Sequence, residues 1–135
     1  MAIKVEGLAP LIQVFDMSRS VAFYRDVLGF EVVATSPARG KDDFDWAMLA
    51  LNDTRVMLNT AYEEDSRPAK PDASRVSAHG DTGLFFACQD VDAAYSHLCG
   101  KGVNVEVPRV APYGMKQLYV SDPDGYVICF QERAE

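Results

Sequence analysis

LIQVFDMSRSVAFYRDVLGFEVV, residues 11–33, decides the fold, because the same arrangement recurs at residues 84–107 as LFFACQDVDAAYSHLCGKGVNVEV. Each copy contains an apolar strand, an Asp, an amphipathic segment of helical period, a Gly and a second segment rich in β-forming residues. We expect Asp16 and Asp90 to cap the two helices, since an Asp carboxylate accepts from the free amides of a first helical turn. An internal repeat of this kind predicts two copies of one structural unit.

Composition narrows the class of protein. With 135 residues, 48% apolar and 24% charged, the chain is expected to fold as a soluble globular protein. Its net charge of −7 argues against nucleic acid and anionic membranes as partners and mildly favours a cationic or neutral ligand. No apolar run is long enough to span a bilayer, and residues 1–6 lack the apolar core of a signal peptide. The three cysteines are an odd number without metal-ligand spacing, so we predict reduced thiols and a cytoplasmic location.

The first module is predicted over residues 8–59. After the helix that Asp16 caps and Gly29 ends, residues 30–36 favour a strand, and residues 44–51 and 54–59 favour a hairpin across Asn52-Asp53. Residues 60–82 follow as a linker without apolar period. We expect an exposed, mobile connection there, which is either a functional loop or a simple tether.

The second module is predicted over residues 83–131, with a helix after Asp90 and strands at residues 103–107, 116–121 and 126–131. The last two strands are joined by DPDG at residues 122–125, a strong turn sequence. The predicted fold class is therefore α+β, with two paired β-α-β-β-β modules forming a curved mixed sheet within a single domain of residues 1–135. Helices would lie on the convex side, and the concave side would offer a pocket.

Two motifs resemble signatures of the vicinal-oxygen-chelate superfamily. This group includes glyoxalase I, extradiol dioxygenases, fosfomycin-resistance enzymes and bleomycin-resistance proteins. Residues 16–30, DMSRSVAFYRDVLGF, resemble its first-module signature, and YGM at 113–115 followed by DPDGY at 122–126 resembles its second-module signature. The resemblance extends from about residue 8 to residue 131 and implies the paired-module fold, but a shared fold does not fix the activity.

The resemblance also implies where a metal would be bound. In the superfamily's enzymes the ligands come from the first strand of each module and from the last strand of a module, and the matching positions here hold Ala9, Gly83, Met57 and Cys129. Ala and Gly have no side-chain donor, and Met and Cys are soft donors unsuited to Mn, Fe or Mg. We therefore predict no metal, no other cofactor and no catalytic residues, since the superfamily's oxygen chemistry would lack its Lewis acid.

In lacking these metal-ligand side chains, the chain resembles the bleomycin-resistance branch of the superfamily. Membership of that branch implies a protein that confers antibiotic resistance by binding a drug without chemistry. It also implies a homodimer with ligand grooves at the subunit junction. Residues 1–7 would then be a strand exchanged between subunits, or simply an edge segment.

Strand alternation predicts which side chains line the pocket. If the metal-equivalent positions face the concave side, the hairpin pairs Trp46 with Asn59, Met48 with Met57 and Ala50 with Arg55 on that face. Aromatic walls with few polar groups suit a flat aromatic molecule or a cation. The alternative is that these side chains fill a core or a dimer interface. The predicted ligand-binding residues are Gln13, Trp46, Met48, Arg55, Met57, Asn59, Phe85, Tyr119 and Cys129.

Three functions remain open from the sequence. The leading one is a metal-free protein that sequesters an aromatic or cationic organic compound. The second is a metal-dependent glyoxalase-like lyase or dioxygenase that recruits its metal through unexpected ligands. The third is a protein-interaction module that uses the paired sheet.

Overall fold

The computed structural model describes residues 1–135, except for the side chain of residue 65. The chain divides into two compact units, Met1–Ala69 and Lys70–Glu135. We refer to them as the N-terminal unit and the C-terminal unit.

The N-terminal unit contains one four-stranded sheet and one long helical segment. The elements are β1 (Leu11–Val14), α1 (Met17–Val21) with its π-helical continuation (Ala22–Leu28), β2 (Glu31–Thr35), β3 (Trp46–Leu51) and β4 (Thr54–Thr60). The sheet has the order β1-β4-β3-β2, in which β1 runs parallel to β4 and the other neighbours are antiparallel. A short 3₁₀ turn, Glu63–Asp65, follows the last strand.

Both predicted ends of the first helix are confirmed. The Asp16 carboxylate accepts from the backbone N–H of Arg19, and Gly29 ends the segment with φ of 97° in the left-handed region. The second half of the segment is π-helical rather than α-helical, with the Gly29 N–H donating to the Tyr24 carbonyl. Tyr24 is fully buried and makes edge-to-face contacts with Phe23 and Phe30, at 5.3 and 5.7 Å between ring centroids.

The two faces of this sheet differ in exposure because successive side chains of a strand point to opposite sides. One face is buried and shares its core with the helical residues Val21, Tyr24 and Leu28. Burying each large apolar side chain contributes roughly 1.5–3 kcal/mol. The other face is only half-buried and carries Trp46 and Met48. The side chains of the buried face are those of Ile12, Val14, Ala47, Leu49, Val56 and Leu58.

The C-terminal unit repeats this architecture. Its elements are α2 (Ala73–His79), β5 (Gly83–Ala87), α3 (Val91–Gly100), β6 (Arg109–Val110), β7 (Met115–Ser121) and β8 (Val127–Arg133). The sheet has the order β5-β8-β7-β6, with β5 parallel to β8 and the other neighbours antiparallel. Asp90 caps α3 by accepting from the Ala93 N–H at 2.9 Å. The fold class predicted from the repeat, α+β with two β-α-β-β-β modules, is therefore confirmed.

Helix α2 lies inside residues 60–82, the segment that the sequence predicts as an exposed, mobile linker. Asp72 caps it, accepting from the N–H groups of Ser74 and Arg75. At its end, the His79 ring stacks on Tyr126 at 4.1 Å, and His79 Nδ1 lies 2.7 Å from the Asp124 carbonyl oxygen. The segment is mostly exposed, as expected, and this is why it shows no apolar period although it forms a helix.

The strand predicted at residues 103–107 is wrong. In the structure this segment has no regular pairing, and β6 is limited to Arg109–Val110. Pro108 stands between the two, and a proline has no N–H with which to extend a β-ladder. Among the described residues, no helix is long and apolar enough to cross a membrane.

Candidate functional site

The predicted register of the β3–β4 hairpin is confirmed. Trp46 pairs with Asn59, Met48 with Met57 and Ala50 with Arg55, as the two-residue turn at Asn52-Asp53 requires. These six side chains, with Leu11 and Gln13 of β1, therefore share the half-buried face of the N-terminal sheet. That any of them binds a ligand stays a prediction.

Two polar side chains at one end of this face, those of Gln13 and Asn59, are hydrogen-bonded to each other. The Asn59 side-chain nitrogen lies 3.1 Å from the side-chain oxygen of Gln13, its neighbour across the parallel β1–β4 pair. Rotating the Gln13 amide by 180° would let it donate instead to the backbone carbonyls of Asn59 and Thr60, each at 3.2 Å. In either orientation, Gln13 is tied to the end of β4.

Arg55 lies at the opposite end of the face, beside the hairpin turn. Its Nη1 donates to the backbone carbonyls of Asn52 and Thr54, both at 3.1 Å. The guanidinium is therefore engaged with the turn, and Trp46, Met48 and Met57 form the apolar centre of the face.

The C-terminal sheet carries the other predicted residues on one face. Cys129 pairs with Phe85 on one side and with Tyr119 on the other. The Phe85 and Tyr119 rings are nearly perpendicular, with centroids 6.0 Å apart, and they are 51% and 46% exposed. Cys129 is completely buried between their strands. The three residues thus form an open aromatic surface over a buried thiol.

The positions equivalent to the superfamily's metal ligands do not fit a metal. A Cβ added to Gly83 would lie 2.8 Å from Cε1 of the Phe85 ring, so an aromatic ring fills the space of a ligand side chain. Met57 and Cys129 are soft donors, unsuited to Mn, Fe or Mg, and Cys129 is completely buried. Ala9 has no side-chain donor atom. Among the described side chains, no group of three or more His, Cys, Asp and Glu residues is placed to hold a metal ion.

A polar network that the sequence reasoning missed adjoins the aromatic surface. We call it the amide–tyrosine cluster: Tyr113, Gln117, Tyr119 and Gln131. The Gln117 side-chain nitrogen donates to the Tyr113 hydroxyl at 2.7 Å and to the Gln131 side-chain oxygen at 3.0 Å. The Tyr119 hydroxyl donates to the Gln117 side-chain oxygen at 3.1 Å. Strand alternation could have predicted part of this cluster. Gln117 and Gln131 lie two residues from Tyr119 and Cys129 on their strands and therefore share their face of the sheet.

Burial raises the pKa of Tyr119, and the neighbouring Cys129 and Tyr113 raise it further. An unperturbed tyrosine is already protonated at neutral pH, and this shift moves the pKa of Tyr119 further above neutrality. The cluster contains no Asp, Glu, Lys, Arg or His. It can therefore offer hydrogen bonds and ring contacts rather than ion pairs.

A cleft of about 750 Å³ opens beside the cluster. One wall is the segment of residues 103–112, which carries four valines and Pro112. The opposite wall includes Gln117, Tyr119 and the following residues of β7. Residues 119–121 of β7, which line the cleft, have no partner in β6. Its volume lies within the range of small-molecule sites.

Comparison with known proteins identifies the family. The chain belongs to the glyoxalase/bleomycin resistance protein/dioxygenase superfamily, whose sequence profile matches residues 7–130. It is 35% identical over 112 residues to the uncharacterized protein YaeR of Escherichia coli (strain K12), covering 82% of each chain. The resemblance inferred from the two sequence motifs is thereby confirmed.

Solved structures in the same fold include proteins of different function. TnmS3, an antibiotic-binding protein from Streptomyces sp. CB03234, shares 28% identity with a TM-score of 0.67 and 99% coverage of both chains. A lactoylglutathione lyase from Agrobacterium tumefaciens shares 20% identity with a TM-score of 0.68, covering 96% of this chain and 95% of its own. The second likeness shows the fold alone. The choice between binding and catalysis therefore depends on the residues of the site.

Proposed function

We propose that this protein binds and sequesters a small organic compound without metal-dependent catalysis. The observation that carries the proposal is at Gly83, where a ligand side chain is absent and the Phe85 ring lies in its place. A protein that has exchanged a metal donor for an aromatic wall retains a surface for binding but loses the Lewis acid that the superfamily's oxygen chemistry needs.

The side chains on the two open sheet faces support an organic ligand. Trp46 with Met48 and Met57 in one unit, and Phe85 with Tyr119 in the other, offer ring faces and soft apolar contacts. Such surfaces bind aromatic compounds by stacking and organic cations by cation–π attraction. The likeness to TnmS3, an antibiotic-binding protein, supports the same class of function, with an antibiotic as one candidate ligand.

We infer further that the protein acts as a homodimer in the cytoplasm. Ile3, Val5 and Leu8 are exposed by 90%, 75% and 85% in the single chain, in a segment without secondary structure. A run of exposed apolar side chains is a liability unless another surface covers it, and a second copy is the ordinary solution. The three cysteines, Cys88, Cys99 and Cys129, are free thiols, which suits a reducing compartment.

Two measurements on the purified chain test the proposal. Titration with aromatic and cationic compounds, followed by Trp46 fluorescence, should find saturable binding. Elemental analysis after purification without chelator should find no stoichiometric Mn, Fe, Ni or Zn. About one metal per chain, lost on substitution of Met57 or Cys129, would instead indicate the alternative function of a metal-dependent glyoxalase-like lyase or dioxygenase.

A matched pair of variants links binding to the proposed surface. Phe85 and Phe86 are neighbours on β5 and point to opposite faces, and Phe86 stacks against Phe130 at 5.6 Å between ring centroids. Phe85→Ala should weaken binding with little loss of stability, while Phe86→Ala should lower stability with little loss of affinity. The reverse pattern would show that the exposed face is not the binding surface.

A further inference from the structure

The backbone of β7 has a defined direction of hydrogen bonding along the cleft. Gln131 of β8 directs its backbone groups toward β5, since its carbonyl accepts from the Cys88 N–H at 2.8 Å. In an antiparallel pair, opposite residues either exchange both backbone hydrogen bonds or direct both sets of groups outward. Gln117, which lies opposite Gln131 in β7, therefore directs its N–H and C=O away from β8, where Arg109 of β6 is its partner.

The same direction recurs at every second residue of the strand. Tyr119 and Ser121 therefore also direct their N–H and C=O groups away from β8, whereas the backbone groups of Val120 between them face β8. Over the described residues, the pairing of β6 with β7 stops before Tyr119, and no other backbone group is hydrogen-bonded to Tyr119 or Ser121 from that side. We call residues 119–121 the free edge of β7. It offers two N–H donors and two C=O acceptors.

The cleft gives this free edge a space of ligand size. All three of its residues belong to the cleft lining, and Tyr119 and Ser121 are exposed. The facing wall is rich in valine. In the described lining, the formal charges are those of Glu106 and Arg109, which form an ion pair at 3.0 Å. The cleft therefore combines backbone donors and acceptors with an apolar wall that carries no net charge.

The free edge is short, and this limits the size of its partner. On one side Gln117 is already paired with β6, and on the other side β7 ends at Ser121, immediately before the Asp-Pro-Asp-Gly turn. Three residues of a strand span about 10 Å. A peptide of about three residues can use every donor and acceptor of the free edge, and a longer one finds no further strand with which to pair.

We propose that the cleft binds a short, neutral peptide with apolar side chains as an added antiparallel strand on the free edge of β7. The first residue of a tripeptide would exchange backbone hydrogen bonds with Ser121, and the third would do so with Tyr119, in the direction that β6 already follows. A β-branched side chain at the third position would lie beside the Tyr119 ring, a favourable cross-strand pair. The inference rests on the proposed binding function and narrows the ligand of this cleft to compounds built of peptide units.

Amide hydrogen exchange followed by NMR on the full chain tests the free edge directly. In the protein alone, the Tyr119 and Ser121 amides should exchange rapidly, while those of Leu118 and Val120, which face β8, should be protected. Saturation with N-acetyl-trivaline N-methylamide should slow exchange at Tyr119 and Ser121. Protection of these two amides in the protein alone would show that the edge is already paired, and would overturn the proposal.

Methylated peptides separate backbone pairing from simple apolar contact. One peptide carries N-methyl groups on its first and third residues and lacks both donors that would face β7. The other is methylated on its second residue, whose N–H would face away. Equilibrium dialysis should find about 25-fold weaker binding of the first, fivefold for each lost hydrogen bond, and nearly unchanged binding of the second. Equal affinity of the two methylated peptides would contradict the proposed pairing.

Two variants at one position test the same hydrogen bonds from the protein side. Ser121→Pro removes a backbone donor of the free edge, whereas Ser121→Ala removes only the hydroxyl group. Proline is tolerated in a strand where its nitrogen lies on an open edge, so the β7–β8 pairing should persist. Ser121→Pro should weaken peptide binding about fivefold and Ser121→Ala should leave it unchanged. Equal binding by the two variants would overturn the proposal, and the methylated peptides decide it if Ser121→Pro does not fold.

The peptide inference and the proposed function fail on different results. If N-acetyl-trivaline N-methylamide does not bind, the peptide inference is wrong, while the proposed function still depends on the titration with aromatic and cationic compounds and on the metal analysis. Adding three valines to either end of the peptide should not tighten binding, because the free edge is already filled. Markedly tighter binding of the longer peptides would overturn the inference in favour of a protein segment as the partner.

Discussion

The substitution Gly125→Ala tests how α2 is attached to the rest of the C-terminal unit. This glycine ends the Asp-Pro-Asp-Gly turn with φ of +88°, and a Cβ built on it would lie 2.6 Å from the backbone carbonyl oxygen of Val76 in α2. Gly125→Ala therefore combines two costs: the left-handed conformation of a residue with a Cβ, and an overlap with backbone that cannot rotate away. Gly114→Ala is the matched control, because Gly114 has φ of +87° and nothing within 4 Å of a built Cβ.

The expected losses of folding stability in the two variants follow from this comparison. Placing Ala in the left-handed region costs roughly 1–2 kcal/mol, and this is the whole effect expected at Gly114. Displacing packed structure adds roughly 1–3 kcal/mol at Gly125. With a urea m-value of about 2 kcal/mol/M, the two variants should differ in their unfolding midpoints by roughly 1 M.

Urea unfolding and hydrogen exchange check this reasoning together. Gly125→Ala should also speed exchange of the α2 amides, since His79 and Val76 are the residues that seat this helix on the turn. Gly114→Ala should leave α2 exchange unchanged. Equal destabilisation of the two variants would refute the reasoning, as it would mean that α2 yields to the added methyl at no cost.

Further predictions concern ligand contact, assembly and capping. Trp46→Ala should lower the affinity of an aromatic ligand about fivefold, or ~1 kcal/mol, as measured by equilibrium dialysis. The variant should lose less stability than the roughly 3–5 kcal/mol that truncating a core aromatic residue costs. Unfolding of the variant would show that Trp46 belongs to the core. Light scattering at micromolar concentration should find a dimer near twice 14.9 kDa, and deletion of residues 1–7 should shift it toward monomer; a monomeric full-length chain would contradict the assembly inference. Asp16→Ala should lower the free energy of unfolding by ~1 kcal/mol in chemical denaturation, because the Arg19 N–H loses its side-chain acceptor, and an unchanged stability would show that water replaces the cap at no cost.

The hairpin register could be predicted from sequence because it depends on local information. Leu51 pairs with Thr54 across a two-residue turn, and Asn52 adopts the positive φ of 53° that such turns favour. With the turn fixed, the two-residue period of strands places Trp46 on the same face as Asn59. The capping aspartates were predictable for the same reason, since a helix cap involves neighbouring residues.

Elements without an apolar pattern could not be predicted in this way. Helix α2 is mostly exposed, so it has no hydrophobic period to detect, and its contacts with Tyr126 and Gly125 come from residues about 50 positions away. Residues 103–107 show the opposite error. Their alternation is that of a strand, but Pro108 and the short β6 leave them unpaired.

The contacts within the amide–tyrosine cluster could not be predicted from strand alternation. Alternation places Gln117 and Gln131 on the same face as Tyr119, but it does not show which side chains meet or in which direction they donate. Those properties depend on distances of 2.7–3.1 Å between groups on different strands. The contacts of the cluster are therefore accessible only from the three-dimensional arrangement.

The absence of a side-chain donor at position 83 and the aromatic surface beside it are structurally linked. Gly83 and Phe85 are two residues apart on β5, so their side chains would project from the same face, and the Phe85 ring lies back over Gly83. The first carbon of a histidine side chain at position 83 would lie 2.8 Å from Cε1 of the Phe85 ring. Gly83→His would therefore require this half-exposed ring to shift from its present place. The present arrangement therefore lacks a side-chain donor at position 83, and a donor introduced there would have to displace the half-exposed Phe85 ring.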